Sequence, residues 1–285
     1  MPANYKAELV GVIGQPVAEN PTGVMQEAAF AARGLNWRYL TMEVPPSRLA
    51  EAVAGARALG FRGFNVTIPH KVAVMQYLDG VSPEARMIGA VNTVRREGDC
   101  FIGENTDGKG FLRGVRVNAG VDPKGKRVFL LGAGGAARAI ATELALAGAA
   151  EIVVLNRTEG RGAAMVDDLC KNTGVKASLV VWRGTHIIPE GFDLVVNATS
   201  VGLYPDVDAM PDIDLGRLAP GTLVCDAVFN PPETRLLRTA KSLGLPVLDG
   251  LSMLVYQGVI GFEIWTGQAA PETVMYEALQ KALRD

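Results

Sequence analysis

The 285-residue sequence predicts an α/β fold in two domains, one of them a doubly wound parallel sheet. Three observations carry that expectation. Short apolar runs alternate with helical patterns along most of the chain, as parallel βαβ units require. A glycine-rich turn, Gly132-Ala133-Gly134-Gly135-Ala136-Ala137, stands between an apolar run and an Ala-rich stretch. Polarity rises at Asp122-Pro123-Lys124-Gly125, where one strand–helix series ends and a second begins.

The elements follow in order. Residues 8–14 (ELVGVIG) read as a buried strand, and 23–33 as a helix stopped by Gly34. A second strand covers 37–44, a second helix 46–59, and a third strand 61–68, ended by Pro69. Two short strands, 90–94 and 100–103, flank a turn at 95–99. In the second series, 127–131 (RVFLL) is a near-continuous apolar strand, as expected where both faces are covered. The glycine turn follows it, then a helix to about residue 147, a strand over 151–155 and another helix. Further strands are expected at 179–182, 194–197 and 223–227, and helix over 253–285 with a break at 268–271.

Composition narrows the function. Hydrophobic residues make up 48% and charged residues 20%, which rules out a dominantly disordered chain. Lys and Arg number 28 against 30 Asp and Glu, so no general positive charge exists to hold nucleic acid. Cys100, Cys170 and Cys225 lie far apart and match no zinc spacing, and with two His no metal site is expected. The first residues lack a signal-peptide pattern, and no apolar run reaches membrane length. A cytoplasmic protein that binds neither membrane nor nucleic acid is the expectation. Monomer and homodimer both remain open.

The turn at 132–137 is a G-x-G-x-x-A, a form of the dinucleotide fingerprint, and makes the second domain Rossmann-like. Gly132 allows the tight turn. Gly134 lets backbone approach a pyrophosphate, together with Ala133, Gly135 and Ala136 at the helix N-terminus. The next strand ends at Asn156-Arg157-Thr158, with Arg161 one turn on. An NAD site usually places a carboxylate at that strand end. Here two guanidiniums and a hydroxyl suit a 2′-phosphate instead, so NADP is the expected cofactor. Glu159 between the arginines could offset part of their field. A second polar set closes the strands of the first series: Asn65-Val66-Thr67-Ile68-Pro69-His70-Lys71, Gly89-Ala90-Val91-Asn92-Thr93 and Gly103-Glu104-Asn105-Thr106-Asp107-Gly108. Strand ends are where open α/β sheets bind ligands, and a Lys, amides, hydroxyls and a carboxylate there suit a polyhydroxylated substrate.

In this order and spacing, NVTIPHK, GAVNT, GENTDGKGF, GAGGAARA, NRT, NATSVGL and YQG resemble the shikimate dehydrogenase family over residues 9–265. The resemblance implies NADP-dependent reduction of 3-dehydroshikimate to shikimate, a step of the chorismate pathway in aromatic amino acid biosynthesis. It implies a substrate domain of residues 1–109 completed by 250–285, a cofactor domain of 110–249, and a cleft between them. Lys71 and Asp107 match the family's catalytic pair, which holds the reacting hydroxyl while hydride passes to nicotinamide. Thr67, Asn92 and Gln257 match residues that hydrogen-bond the substrate's hydroxyls. The run from Asn197 to Gly202, with Thr199, matches the family's loop near the nicotinamide side of the cofactor, and Val228 is also expected to bind the cofactor.

The sequence departs from the family in one loop. Where the family holds the substrate carboxylate with Ser-x-Ser, this chain reads Glu19-Asn20-Pro21-Thr22-Gly23. Asn20 and Thr22 replace the serines, Gly23 the usual Pro, and Glu19 adds a negative charge. Within about 6 Å of a carboxylate, at an effective dielectric of ~20, that charge would cost ~3 kcal/mol, and less if Glu19 points to solvent. Phe229 also stands where the family commonly has Tyr. The expected substrate is therefore a small cyclic hydroxy acid of the shikimate type, with quinate, an amino analogue or another cyclic polyol as the alternative. A non-catalytic NADP-binding protein is the third reading, and the retained Lys71 and Asp107 weigh against it.

Overall fold

The computed structural model describes residues 5–283; residues 1–4 and 284–285, the ends of the expected substrate domain, lie outside the described residues. The chain divides into two compact units, Met1–Thr106 with Gln257–Asp285, and Asp107–Tyr256.

The first unit runs β1 (Glu8–Gly14), α1 (Thr22–Ala32), β2 (Trp37–Glu43), α2 (Leu49–Ala58), β3 (Gly63–Val66), β4 (Gly80–Val81), α3 (Pro83–Ile88), β5 (Thr93–Glu97) and β6 (Cys100–Glu104). Its six-stranded sheet has the order β2-β1-β3-β5-β6-β4. The expectation of parallel βαβ pairing holds for β1 with β2 and β3. The two strands expected on either side of a turn are β5 and β6, which pair antiparallel, and β5 also pairs antiparallel with β3. The β5–β6 hairpin has a local cause. Gly98, at φ 57°, opens a two-residue turn of the kind that favours a hairpin. The strand expected at 90–94 accordingly starts at Thr93, and the turn expected at 95–99 shrinks to Gly98-Asp99. Phe64, Val66, Phe101 and Ile13 centre the core on one face of this sheet.

The second unit comprises α4 (Asp107–Val117), β7 (Arg127–Leu131), α5 (Gly135–Leu146), β8 (Glu151–Asn156), α6 (Glu159–Thr173), β9 (Lys176–Val181), β10 (His186–Ile187), β11 (Leu194–Asn197), β12 (Ile213–Asp214), β13 (Leu223–Asp226), α7 (Arg235–Ser242) and β14 (Val247–Leu248). Six strands form an all-parallel sheet, β14-β13-β11-β7-β8-β9. The order reverses between β7 and β11, the switch point at which doubly wound sheets bind ligands. Alternate residues of β7 enter opposite cores: Val128 and Leu130 one, Phe129 and Leu131 the other. Hence the strand reads as a continuous apolar run.

The final helices are α8 (Gly250–Thr266) and α9 (Glu272–Ala282), separated by the expected break. The unit boundary falls inside α8, between Tyr256 and Gln257. Trp265 of α8 docks on the first sheet, its indole N–H donating to the Val94 carbonyl at 2.9 Å. A Cβ at Gly63 would run into both groups. The sequence does not announce helix α4, because Gly108, Gly110 and Gly114 weaken its intrinsic propensity. Tertiary packing supplies the reason for the glycine: a Cβ at Gly108 would collide with the backbone of Ala139 in α5. Among the described residues no helix is long and apolar enough to cross a membrane.

Candidate active site

In the first unit the residues expected to bind substrate stand in the loops after β1 and β3, just before β5 and on α8. Thr67 follows β3 directly, and its methyl occupies the space where a Cβ at Gly14 would lie. The Thr67 amide donates to the Ile13 carbonyl at 3.0 Å, and the Gln15 amide to the Ile68 carbonyl at 3.0 Å, so the loops after β1 and β3 are tied. His70 is buried, with Nε2 2.7 Å from the Val44 carbonyl. A carbonyl only accepts, so Nε2 carries the proton. Lys71 is half-buried, and its carbonyl takes the Val91 amide at 2.8 Å. That bond fixes the backbone from which the lysine projects.

A buried polar network lies under this group. The Tyr39 hydroxyl donates to Asn65 Oδ1 at 2.7 Å, and burial raises the phenol's pKa well above its ordinary value. Asn65 Nδ2 donates to the Asn92 carbonyl and to Thr93 Oγ1. Thr93 Oγ1 lies 3.1 Å from Thr106 Oγ1, and the Thr106 amide donates to Asn92 Oδ1 at 2.7 Å. Asn92, only 3% exposed, is thus held at both its backbone and its side chain. Asp107, the residue after Thr106, opens α4, where helix amides lack intrahelical partners. Gln257 is buried on α8, and the next carbonyl, that of Gly258, accepts Gln26 Nε2 at 2.8 Å. The roles of Tyr39, Asn65, Thr93 and Thr106 were not legible as such. The signal was present in Asn65, a polar residue inside the fully buried strand β3.

The loop at 19–23 is ordered by its own side chains. Asn20 Oδ1 accepts the Thr22 amide at 3.0 Å, an Asx turn that starts α1. The Asn20 carbonyl oxygen is therefore engaged, and its NH2 remains as the donor. Thr22 is buried, 4% exposed. Gly23 faces Tyr39, whose Cδ1 would lie 3.2 Å from an added Cβ. Glu19 is exposed, the case in which the expected repulsion is small. In water, at about 6 Å, it amounts to ~0.7 kcal/mol rather than ~3.

In the second unit, Gly132 follows β7 with φ 102°, a conformation that favours glycine. A Cβ there would lie 3.1 Å from the Ala198 carbonyl and from Thr199 Cγ2. Gly134 caps α5 without a side-chain bond, and Cβ atoms at Gly134 and Gly135 would meet nothing within 4 Å. Space and unsatisfied amides at a helix N-terminus are what a pyrophosphate needs. Ala133 and Ala137 are buried, Ala137 within the helix–sheet core. At the end of β8, Asn156 Nδ2 donates to the Thr158 carbonyl at 2.8 Å, and Thr158 caps α6 without a side-chain bond. Arg157 and Arg161 are exposed, and among the described residues neither makes an ion pair, with Glu159 or any other carboxylate. These residues fit NADP: an open amide-lined turn for the pyrophosphate and two uncommitted guanidiniums for a 2′-phosphate.

Two further loops of this unit carry Thr199 and Val228, both expected at the cofactor. Asn197, the last residue of β11, accepts the Thr199 amide at 3.1 Å and the Thr199 hydroxyl at 2.7 Å. Val228 is buried, and a Cβ at Gly250 would strike its carbonyl. Among the described residues no cluster of three or more His, Cys, Asp or Glu could hold a metal.

Known proteins give this geometry its family. A model of the shikimate dehydrogenase substrate-binding domain matches residues 12–94. A shikimate/quinate 5-dehydrogenase model matches 116–203, and a shikimate 5′-dehydrogenase C-terminal domain model 250–280. The NADP(+) shikimate dehydrogenase of Methanopyrus kandleri is 47% identical over 98% of this chain and 97% of its own. The chain belongs to the shikimate dehydrogenase family. Among solved structures, 5-ketofructose reductase of Gluconobacter sp. strain CHM43 superposes with a TM-score of 0.93 at 46% identity, covering 98% of this chain and 99% of that one. Shikimate 5-dehydrogenase of Thermus thermophilus, in complex with NADP(H) and shikimate, gives 0.84 at 37% identity, with 96% and 99% covered. Both share the two-domain α/β fold of the family.

Proposed function

We propose that the protein is an NADP-dependent oxidoreductase of the shikimate dehydrogenase type, interconverting a ring ketone and its alcohol, with 3-dehydroshikimate and shikimate as the reference pair. The observation that carries this reading is the pairing, in one chain of the family, of an open dinucleotide turn ending in free arginines with an intact Lys71, Asp107, Thr67, Asn92 and Gln257 set. Substrate recognition is assigned to residues 1–109 with 250–285, cofactor recognition to 110–249. A cytoplasmic setting suits an enzyme that draws on NADPH.

The chain's residues divide the work. Bound NADPH supplies a hydride to the carbonyl carbon. The Lys71 ammonium donates the proton that the carbonyl oxygen gains, and in the oxidative direction takes it back. Asp107 accepts a hydrogen bond from the reacting hydroxyl. Thr67, Asn92 and Gln257 hold the other ring hydroxyls, and the bonds beneath Asn92 fix it before substrate arrives, so orientation costs little on binding. Gly132, Ala133, Gly134, Gly135 and Ala136 cradle the pyrophosphate; Asn156, Arg157, Thr158 and Arg161 hold the 2′-phosphate end; Thr199 and Val228 flank the nicotinamide.

A second reading of the substrate is favoured by Asn20. Its side chain is larger than serine and, in its Asx turn, presents an amide NH2 where the family presents a hydroxyl. Such a side chain fills the volume of a substrate carboxylate and donates to a neutral hydroxyl in its place. A neutral polyhydroxylated ketone, the class named for the Gluconobacter relative, fits that end. The test is a steady-state screen with NADPH and NADP⁺ across the shikimate, quinate, aminoshikimate and 5-ketofructose couples and neutral ring polyols. Turnover of shikimate with KM below ~1 mM supports the acid substrate. Preference for a neutral ketone, with Asn20→Ser/Thr22→Ser gaining ~10- to 150-fold in kcat/KM on shikimate, supports the neutral one. Tight NADPH binding without turnover of any of these would defeat both.

A further inference from the structure

The carboxyl end of β13 carries a buried acid that none of the assigned roles uses. Asp226 is 1% exposed. Its Oδ1 accepts Asn197 Nδ2 at 2.9 Å and the Val228 amide at 3.0 Å. Its Oδ2 accepts the Thr234 hydroxyl at 2.7 Å. Asn197 spends its own carbonyl oxygen on the Thr199 amide and hydroxyl. Thr234 in turn accepts the Leu237 amide at 3.3 Å and caps α7. One carboxylate therefore joins three segments: the turn after β11, the loop after β13 and the start of α7.

We infer that Asp226 is a positioning residue of the cofactor site, holding Thr199 through Asn197 and Val228 directly, and so fixing the protein wall against the nicotinamide end of NADP. The inference rests on the proposed placement of the nicotinamide beside Thr199 and Val228. Several features make the acid suited to the role. A single oxygen accepts from both loops, so neither can shift without losing a bond to the same atom. The remaining neighbours are fixed as well. The Asp226 backbone is inside the parallel sheet, paired with Asn197, and Gly250 packs against the Val228 carbonyl. An unsatisfied donor in this buried place would be costly, so the loops stay where the acceptor is. On the same reading the pyrophosphate lies on Gly132–Ala136 and the 2′-phosphate on the arginines after β8, and none of these residues bonds Asp226. Asp226 should thus act on one half of the cofactor and leave the other alone.

Two ligands separate those halves: NADPH, and adenosine 2′,5′-bisphosphate, which carries the 2′-phosphate but no nicotinamide. Asp226→Val keeps the shape and removes the acceptor. It is expected to weaken NADPH at least tenfold and lower kcat at least tenfold, while the bisphosphate Kd stays within twofold of wild type. Asp226→Asn can present its carbonyl oxygen to Asn197 and Val228 and its NH2 to Thr234, and should recover NADPH affinity to within about threefold. Should Asp226→Val not fold, Asn197→Ala carries the same comparison, since it cuts the link to Thr199 while Asp226 keeps Val228 and Thr234. Equal NADPH affinity and kcat in the folded variant, or parallel loss of both ligands, overturns the proposal. Failure of the underlying reading looks different. There, wild-type protein would not bind the bisphosphate, or Arg157→Ala would not weaken it, and the proposal would fall with that reading.

Discussion

Burial raises the pKa of Asp226 to about 6, against the three hydrogen bonds from Thr234, Val228 and Asn197 that favour its charged form. Free aspartate titrates near 3.8. Between about pH 4 and 6 the native protein therefore holds a proton on this group that the unfolded chain has released. Stability from this group falls as pH rises through that window, because the native state binds more protons there. The difference of about two pKa units corresponds to ~3 kcal/mol, absent below about pH 4 and fully expressed above about pH 7. Asp226→Asn cannot ionise and escapes this cost. The free energy of unfolding of the variant minus that of wild type should therefore rise by ~3 kcal/mol from about pH 4 to about pH 7.5. Subtraction removes the opposite trend of paired surface acids such as Glu151, whose bonds to Lys176 and Arg127 lower its pKa in both proteins. Urea unfolding, followed by circular dichroism at half-unit pH steps, measures the difference. A difference that stays flat, or falls as pH rises, refutes the reasoning.

Three other outcomes follow from the site. Lys71→Ala should reduce kcat far more than it raises KM, since its proton is needed most in the transition state. Combined with Asp107→Asn the loss should be less than additive, which a double-mutant cycle in steady-state kinetics reads directly. Arg157→Ala should weaken NADPH about 10- to 150-fold, by ~1.5–3 kcal/mol, and leave NADH unchanged; because Arg157 is exposed, the effect should shrink with added salt. Gly132→Ala places a Cβ at φ 102° and 3.1 Å from the Ala198 carbonyl, and fluorescence titration should show NADPH binding lost by tenfold or more while the second unit's β-sheet signal persists.

Much of the cofactor unit was legible along the chain. Strand β7 and the turn after it announce themselves because a strand covered on both faces is continuously apolar and a phosphate-binding turn needs glycine where side chains would intrude. The absence of a carboxylate after β8 was equally local. The motif order carried the family. What sequence left dark is what distant segments decide together. The antiparallel pairing of β5 with β3 depended on which strands came to lie side by side. Helix α4 carries three glycines that weaken it in isolation, and one of them, Gly108, lets its backbone lie against Ala139 of α5. Glu19 had the same charge either way, and only its exposure removed most of the repulsion expected of it. Asn20 could have donated or accepted through its amide; the bond from the Thr22 amide fixed which end it offers. Tyr39, Asn65, Thr93 and Thr106 are separated by up to dozens of residues, and Asp226 meets Asn197 from another strand. A sequence records which side chains can hydrogen-bond. Which of them are buried together, and must therefore satisfy one another, is settled only when the strands are placed side by side.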